Sequence, residues 1–350
     1  RAMKLMFIDV RKAHLNATCD KPHTYVQLPA EAGAPPGICG RLLRWLYGMR
    51  GAAQGWEREF GDKLVSIGFT QGKSTPVVFY RESDETSLVV HGDDFTFLGY
   101  PESLNKILEQ MKTWWDIKLR AIIGDGADDD REVKILNRDL KWDGQALTLK
   151  ADRKHAEEIL KEFDLGDSSR GITVPIDPDA PAREGDDELL EGKEITRYRG
   201  LSARVNYLGQ DRCDVQFSAK TLSRGMARPT QGDLGRMKRF ARYLLEVPEG
   251  IIRFDSAARK LDKVMVYVDS DWAGCKVTRK STSGGAATWD GGLLKSWSTT
   301  QGTVALSSGE AEFYAAVKGC KEGIGLKALL ADLGVEVKVE VIQDSTAAKG

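Results

Sequence analysis

Apolar runs and amphipathic segments alternate along the first 165 residues. The run at residues 4–10 predicts a buried strand, and the runs at 88–91 and 95–98 predict two more. The polar triplet Gly92-Asp93-Asp94 connects the last two, as is typical of a hairpin. Apolar residues at helical spacing predict helices at 55–69, 102–113 and 152–163. Together these elements indicate an α+β protein.

The pattern is interrupted at residues 175–192, where acidic residues, proline and glycine accumulate and predict a linker. Helical patterns follow at 198–208 and 234–245. From residue 263 onward the pattern predicts strands at 264–268, 285–289 and 294–297, then a helix at 309–333 and a strand at 335–342. We therefore predict three domains, at 1–150, 151–260 and 261–350, of which the last is mixed α/β.

Composition excludes several classes of protein. No run approaches the roughly 20 apolar residues that a membrane span needs, so no membrane partner is expected. The five cysteines are scattered and form no Cys-x-x-Cys pair, which argues against a zinc site and against a disulfide framework. Such cysteine usage is typical of a reducing compartment.

Basic residues are concentrated in the middle of the chain. The net charge is only −1, but residues 196–243 hold eleven Lys and Arg against three Asp. A block of this size can neutralise several phosphates of a nucleic acid. A solvated helical face explains it equally well, and both interpretations stay open.

Three aspartates are placed where they could share metal ions. Asp9 ends the first predicted strand, while Asp93 and Asp94 lie between two apolar strands. Neighbouring carboxylates repel each other, and Mg²⁺ takes oxygen ligands, so a bound cation would stabilise such a group. By itself, a Gly-Asp-Asp triplet is more often an ordinary turn. The apolar strands on both sides favour a binding site, because two adjacent acids between buried strands cost stability unless something binds them.

Three stretches resemble, in order and spacing, the polymerase motifs of copia-type LTR retrotransposon reverse transcriptases: residues 7–16, 41–56 and 91–94. The resemblance implies a reverse-transcriptase palm and thumb. It also implies that Asp9, Asp93 and Asp94 are catalytic and bind metal, and that Tyr47 and Gly48 contact the incoming nucleotide.

The same resemblance implies that His14 lies where the family has an aromatic ring beside the sugar 2′ position. A ring there separates deoxynucleotides from ribonucleotides, because only the latter carry a 2′ hydroxyl. This chain departs from the family's pattern at His14 and His91, and at Gly51 and Ala53, where Gln and Pro are usual. Each histidine could instead be packed in the core.

Five later stretches resemble copia-type ribonuclease H: residues 267–274, 279–285, 296–298, 304–312 and 341–345. The resemblance implies that Asp269, Glu312 and Asp344 are catalytic and bind metal. Glu310 follows Ser307 at the spacing of a capping box and lies about 200° around the helix from Glu312. We therefore assign the metal site to Glu312, and we expect Asp271 to play a supporting role.

The family has an RNA-directed DNA polymerase with a linked ribonuclease H. By resemblance, the expected cofactor is Mg²⁺, two ions per active site, with Mn²⁺ as the alternative. The expected partners are an RNA template, a DNA primer, an RNA–DNA hybrid and dNTPs, in an intracellular setting (cytoplasmic particle and nucleus). Four basic residues are expected to follow the duplex backbone: Arg236, Lys238, Arg239 and Arg242.

The alternative function is a catalytically inactive fragment or remnant that at most binds nucleic acid. In the family, the fingers segment would precede Lys4 and a fourth nuclease acid would follow Gly350. We therefore interpret the chain as cut at both ends and expect little turnover from it in isolation.

Overall fold

The structure is a computed structural model that describes residues 2–166, 168–177, 184–256 and 262–344. The strands in these ranges are β1 Lys4–Val10, β2 Tyr25–Gln27, β3 Cys39–Arg41, β4 Thr70–Gln71, β5 Val78–Arg81, β6 Thr86–His91, β7 Asp94–Gly99, β8 Ile117–Ile123, β9 Glu132–Ile135, β10 Arg138–Trp142, β11 Ala146–Lys150, β12 Ile251–Asp255, β13 Lys263–Ser270, β14 Thr282–Trp289, β15 Gly292–Thr300 and β16 Lys338–Ile342. The α-helices are α1 Ala13–Asn16, α2 Ala52–Ser66, α3 Pro101–Trp114, α4 Lys154–Glu162, α5 Lys193–Leu208, α6 Gln216–Arg224, α7 Gln231–Glu246 and α8 Ser308–Asp332. This mixture of helix and sheet is compatible with the predicted α+β class.

The chain forms two compact units, one of residues 1–133 with 325–337 and one of 134–324 with 338–350. The sequence analysis instead extended its first domain to residue 150. The difference arises because β10 and β11 belong to a sheet of order β12-β11-β10-β9, in which β11 pairs with β12. That pairing joins residues about a hundred positions apart, so no local pattern indicates it.

The first unit is built on a six-stranded sheet of order β4-β5-β6-β7-β1-β8. Strand β1 lies between β7 and the edge strand β8 and is antiparallel to both. Its core includes Ile8 of β1, Trp56 of α2 and Met111 of α3. The Trp56 ring lies edge-on to Phe60 and Phe95, an arrangement that the charge distribution of aromatic rings favours. Helices α2 and α3 thus contribute their apolar residues to the core that includes β1 and β7.

The helical part of the second unit surrounds its own core, which includes Ile159, Val205 and Phe240. Ile176 and Leu190, at the two ends of the predicted acidic linker, are buried in this core. The backbone of Leu189 also bridges to Thr230. The linker prediction is therefore wrong for its described ends, because apolar residues between the acids pack within one unit. Residues 178–183 lie outside the described ranges.

The second unit also contains a four-stranded sheet of order β15-β14-β13-β16, in which β16 runs parallel to β13. Helix α8 approaches this sheet closely at two glycines. A Cβ on Gly319 would lie 2.3 Å from Val268, and one on Gly323 would lie 2.5 Å from Val339. The absence of side chains at these positions lets helix and sheet come into contact.

None of the described helices has both the length and the apolar character that crossing a membrane requires. The five cysteines are all free thiols.

Candidate functional site

Three acids from separate elements meet at one end of the strands in the sheet β15-β14-β13-β16 of the second unit. Asp269 lies near the carboxyl end of β13, and Asp344 follows β16. Tyr267 and Ile342 are partners in the parallel pairing of these strands, so each acid stands two residues beyond a paired position. Glu312 comes from the start of α8, and one ligand oxygen from each of the three side chains lies within 4.8 Å of the others. Among the described residues, this is the one group of three gathered closely enough to share a metal ion.

Glu312 is held in place but is only partly hydrogen-bonded. The Ser270 hydroxyl donates to Glu312 Oε1 at 3.0 Å, whereas Glu312 Oε2 is buried and has no hydrogen-bond partner. Burial raises the pKa of Glu312, and the negative charges of Asp269 and Asp344 add to this effect. An unpartnered carboxylate oxygen on a side chain that is clustered with two other acids fits a hard divalent cation, which would supply a contact.

Glu310, two residues earlier, has a different role. Its backbone N–H donates to Ser307 Oγ at 3.1 Å, and its Oε2 accepts from the Leu306 N–H at 2.7 Å. Tyr314 donates its hydroxyl to the other oxygen at 3.0 Å. The predicted contact between Ser307 and Glu310 at the start of the helix is present. Both carboxylate oxygens of Glu310 accept hydrogen bonds from residues outside the acidic cluster.

Asp271 supports the sheet beside the cluster. Its carboxylate accepts a short hydrogen bond of 2.5 Å from the Thr282 N–H, and its own N–H donates to the Thr282 carbonyl at 3.2 Å. These two bonds hold the beginning of β14 against the end of β13. A Cβ on Gly274 would lie 2.3 Å from the Asp271 carboxylate, so the following loop also packs closely on it.

The three acids of the first unit share one end of its sheet. Asp9 on β1 is the cross-strand partner of Asp94 on β7. Asp93 lies in the β6–β7 turn, and its carbonyl accepts from the Val10 N–H at 2.9 Å. Gly92 in the same turn has a φ of +64°, which favours glycine. Among the described residues these three acids do not form a second close-set metal group.

Asp94 is already paired with a base. Arg120 Nη1 donates to Asp94 Oδ1 at 2.8 Å. Arg120 is the extra residue of a β-bulge in β8, because Phe7 pairs with Ala121 and Ile8 with Leu119. Burial raises the pKa of Asp94, as do the charges of Asp93 and Asp9, and Arg120 opposes this shift. Arg120 was not among the predicted site residues, because no residue near it in the sequence indicates its contact with Asp94.

Trp56, the last residue of the motif-like stretch 41–56, also supports the acidic end of the sheet. Its side chain is buried, and its Nε1–H donates to the Gly92 carbonyl at 2.8 Å. The core of the first unit therefore holds the turn that carries Asp93. Such support from the core fixes the position of the turn.

The proposed nucleotide-binding residues lie together. The His14 and Tyr47 rings are 4.4 Å apart, with His14 half-buried and Tyr47 exposed. Gly48 has a φ of +88°, and a Cβ there would meet nothing. His91 is exposed, so the alternative of a packed core histidine is wrong at that position.

The departure from the family at Gly51 has a steric explanation. A Cβ on Gly51 would lie 2.5 Å from the Trp45 ring, and one on Gly55 would lie 2.3 Å from it. Trp45 itself is buried. Its indole covers both glycines, and any larger residue at either position would displace it. Ala53 is exposed, and nothing in the structure explains its difference from proline.

The four predicted duplex-contacting residues all lie on α7 but differ in their surroundings. Arg236 pairs with Asp233 at 2.6 Å. Arg242 donates to the Arg170 carbonyl at 2.8 Å, and Arg239 Nε is buried without a hydrogen-bond partner. Of the four, only Arg236 and Lys238 are exposed. The basic block is therefore partly engaged within the fold.

Comparison with known proteins gives consistent relatives for almost the whole chain. No protein-family model matches it. The retrovirus-related Pol polyprotein from transposon RE1 of Arabidopsis thaliana is 26% identical over 347 residues, which is 96% of this chain and 22% of that protein. The corresponding polyprotein from transposon TNT 1-94 of Nicotiana tabacum is 25% identical over 359 residues, covering 96% of this chain and 25% of the relative.

A shorter relative is the secreted RxLR effector protein 161 of Plasmopara viticola. It is 34% identical over 134 residues, which is 38% of this chain and 93% of that protein. The chain spans about a quarter of the length of the Pol polyproteins it matches. Because those matches extend over 96% of its residues, the chain belongs to the retrovirus-related Pol polyproteins of copia-type transposons.

Proposed function

We propose that the second unit is a ribonuclease H that cuts the RNA strand of an RNA–DNA hybrid. The observation that carries this proposal is the convergence of Asp269, Glu312 and Asp344, whose ligand oxygens lie within 4.8 Å of one another. The parallel pairing of β13 with the outer strand β16 supports the same assignment, since it brings Asp269 and Asp344 to the same end of the two strands.

Magnesium is the proposed cofactor, two ions per site, with Mn²⁺ as the alternative. Asp269, Glu312 and Asp344 would hold it. When bound, a divalent ion supplies a more acidic water and neutralises charge on the phosphate. The protein's own contribution is positional: Ser270 orients Glu312 through its hydroxyl, and Asp271 holds the adjoining strand.

The test is cleavage of a hybrid with a labelled RNA strand, in Mg²⁺ and separately in Mn²⁺. The chain should cut the RNA only slowly, in line with the little turnover expected of it in isolation, and Asp269→Asn and Glu312→Gln should each abolish this cutting. Glu310→Gln is the matched control, because it changes a glutamate on the same helix turn outside the cluster. Cleavage that persists in Asp269→Asn would exclude this site as its source.

We further propose that the first unit is the palm of an RNA-directed DNA polymerase, with RNA template, DNA primer and dNTPs as its substrates. The observation that favours this second activity is the cross-strand pairing of Asp9 with Asp94 beside the Asp93 turn. The contact of His14 with Tyr47 supports a neighbouring nucleotide site. Residues of α7 would track the duplex backbone, with Lys238 as the best-exposed contributor.

Primer extension on an RNA template tests this activity separately. Extension should depend on dNTPs and Mg²⁺ and should be lost in Asp93→Asn, while Asp269→Asn should leave it unchanged. A chain that binds hybrid but neither extends a primer nor cuts RNA would instead match the alternative of a catalytically inactive remnant. Extension that survives in Asp93→Asn would contradict the assignment of the turn.

A further inference from the structure

A cavity of about 410 Å³ opens on one face of the second unit's sheet, beside Asp269. Asp269 pairs with Gly284, and Gly284 pairs with Ser298, so the three share a sheet face. Ala286 and Ser296 form the next pair on that face. Apart from Asp269, the residues on this face are small: two are Gly284 and Ala286, and the other two, Ser296 and Ser298, carry hydroxyl groups. The floor of the cavity is therefore open and presents hydroxyls. It begins at a residue of the proposed metal site.

One wall of the cavity comes from α6, a helix that the sequence analysis did not identify. Gln216 and Phe217 of this helix line the cavity. Gln216 donates to the Ser296 carbonyl at 3.1 Å. Phe217 is 38% exposed, which is a large fraction for an aromatic ring next to a cavity. A helix outside the predicted nuclease domain of residues 261–350 therefore completes the space next to its acids.

Two cations follow Gln216 at intervals of one helical turn. Lys220 Nζ donates to Thr282 Oγ1 at 2.5 Å, and Arg224 Nη2 donates to Thr300 Oγ1 at 2.9 Å. Thr282 and Thr300 are cross-strand partners, and Thr282 also lines the cavity. The spacing of four residues places the two cations on the same helix face. Both therefore lie at the rim of the cavity.

Neither cation forms a direct ion pair in the described part of the fold, although the negative charge of Asp271 lies close enough to act on Lys220. Their hydrogen-bond acceptors are uncharged hydroxyls. Lys220 is half-buried, and burial together with the charge of Arg224 lowers its pKa to about 8. Burying an ammonium group without a directly paired carboxylate is costly, and Asp271 offsets only part of this cost, so an anion at this position would be stabilising.

We infer that Lys220 and Arg224 form a binding site for the phosphodiester backbone of a nucleic acid strand that occupies the cavity. This inference rests on the proposed nuclease function, since it assumes that a hybrid approaches Asp269. The occupant is a nucleic acid strand rather than a peptide because the rim is cationic and the floor presents hydroxyls. The exposed Phe217 ring, with Lys220 Nζ 4.6 Å from its centroid, also offers a surface for stacking.

The test measures binding without cleavage, by fluorescence anisotropy in EDTA across a salt series. The ligands are an RNA–DNA hybrid and its two single strands, so that the strand responsible is identified. In the double variant Lys220→Gln/Arg224→Gln, the slope of log affinity against log salt should fall by roughly 2, about one for each phosphate that the variant no longer neutralises. Lys154→Gln/Lys161→Gln is the control, because it removes the same charge from exposed positions on α4.

Lys220→Arg/Arg224→Lys keeps both charges and should preserve the slope. A second measurement needs no variant: bound hybrid should protect Lys220 of the native chain from acetylation, while Lys161 stays reactive. An unchanged salt slope in the double glutamine variant, or a Lys220 that hybrid does not protect, would overturn the inference. Failure of the nuclease proposal would give a different result. The chain would then not cleave the hybrid in Mg²⁺, while its binding in EDTA would still depend on Lys220 and Arg224.

Discussion

Replacing Glu312 by glutamine should stabilise the metal-free protein while abolishing cleavage. The variant removes one of three carboxylates whose oxygens lie within 4.8 Å of one another. Two like charges about 4 Å apart repel by about 1 kcal/mol in water and about 4 kcal/mol near a protein surface. Since Glu312 is partly buried, we expect Glu312→Gln to raise the free energy of unfolding in EDTA by about 1 to 2 kcal/mol.

The same repulsion determines how the free energy of unfolding depends on pH. The pKa of Glu312 is raised above its ordinary 4.5, so the folded state holds more protons than the unfolded state once the pH exceeds 4.5. The free energy of unfolding of the unaltered chain should therefore fall as pH rises from about 4.5 to the raised pKa. This contribution to the decline should be missing in Glu312→Gln.

In Mg²⁺, the unaltered chain should become more stable than Glu312→Gln, the reverse of the order in EDTA. A cation bound only by the folded state stabilises it by about 2.7 kcal/mol when its concentration is a hundred times the dissociation constant. Adding Mg²⁺ should raise the free energy of unfolding of the unaltered chain by such an amount, and that of Glu312→Gln by much less. Urea denaturation in EDTA and in Mg²⁺ measures both effects.

Glu310→Gln supplies the contrast, because it weakens a helix-start contact and leaves the cluster intact. It should lower the free energy of unfolding by about 1 kcal/mol in both conditions. If Glu312→Gln were less stable than the unaltered chain in EDTA, by as much as Glu310→Gln, electrostatic repulsion within the cluster would be refuted.

Three further predictions concern other residues. Hybrid affinity should fall as pH rises through about 8, where Lys220 loses its proton, and Lys220→Arg should remove this loss in a pH series of binding measurements. Trp56→Phe keeps most of the buried ring but loses the bond to Gly92, so its free energy of unfolding in urea should fall by about 1 kcal/mol and primer extension should weaken. Arg120→Gln should cost about 1 kcal/mol at pH 7, because the pair with Asp94 is partly exposed, and little at a pH low enough to protonate that acid.

Local patterns were sufficient for the strongest elements of the fold. Strand β1 and the β6–β7 hairpin were predicted because apolar runs are bounded there by turn residues. Helix α8 was predicted to within one residue at each end, since its start carries the Ser307–Glu310 contact. The nine-residue helix α6 was missed because it is short and because its buried residues are Ser218, Ala219 and Leu222, of which only Leu222 is large and apolar.

Contacts between distant residues account for what the sequence could not indicate. Strand β12 pairs with β11, and the two are separated by the whole helical region. The bond from Trp56 to Gly92 spans 36 positions, and the pair of Arg120 with Asp94 spans 26. These contacts depend on the register of strands and on a bulge, which only the folded backbone defines. The acids themselves were named in advance by resemblance, whereas the residues that support them were not.

The parallel pairing of β13 with β16 has a consequence for the order of folding. Residues 263–267 pair with residues 338–342, and the strands β14 and β15 and helix α8 all lie between them in the sequence. Pairing over so long a loop is slow, because the entropy of closing the loop is lost before the contacts form. A nascent chain that has reached Asp332 already contains Asp269 and Glu312, yet it lacks β16 and the acid that follows it. The complete carboxylate cluster therefore forms only after translation has passed Asp344, and a protease that cuts between α8 and β16 would separate one of its three acids from the other two.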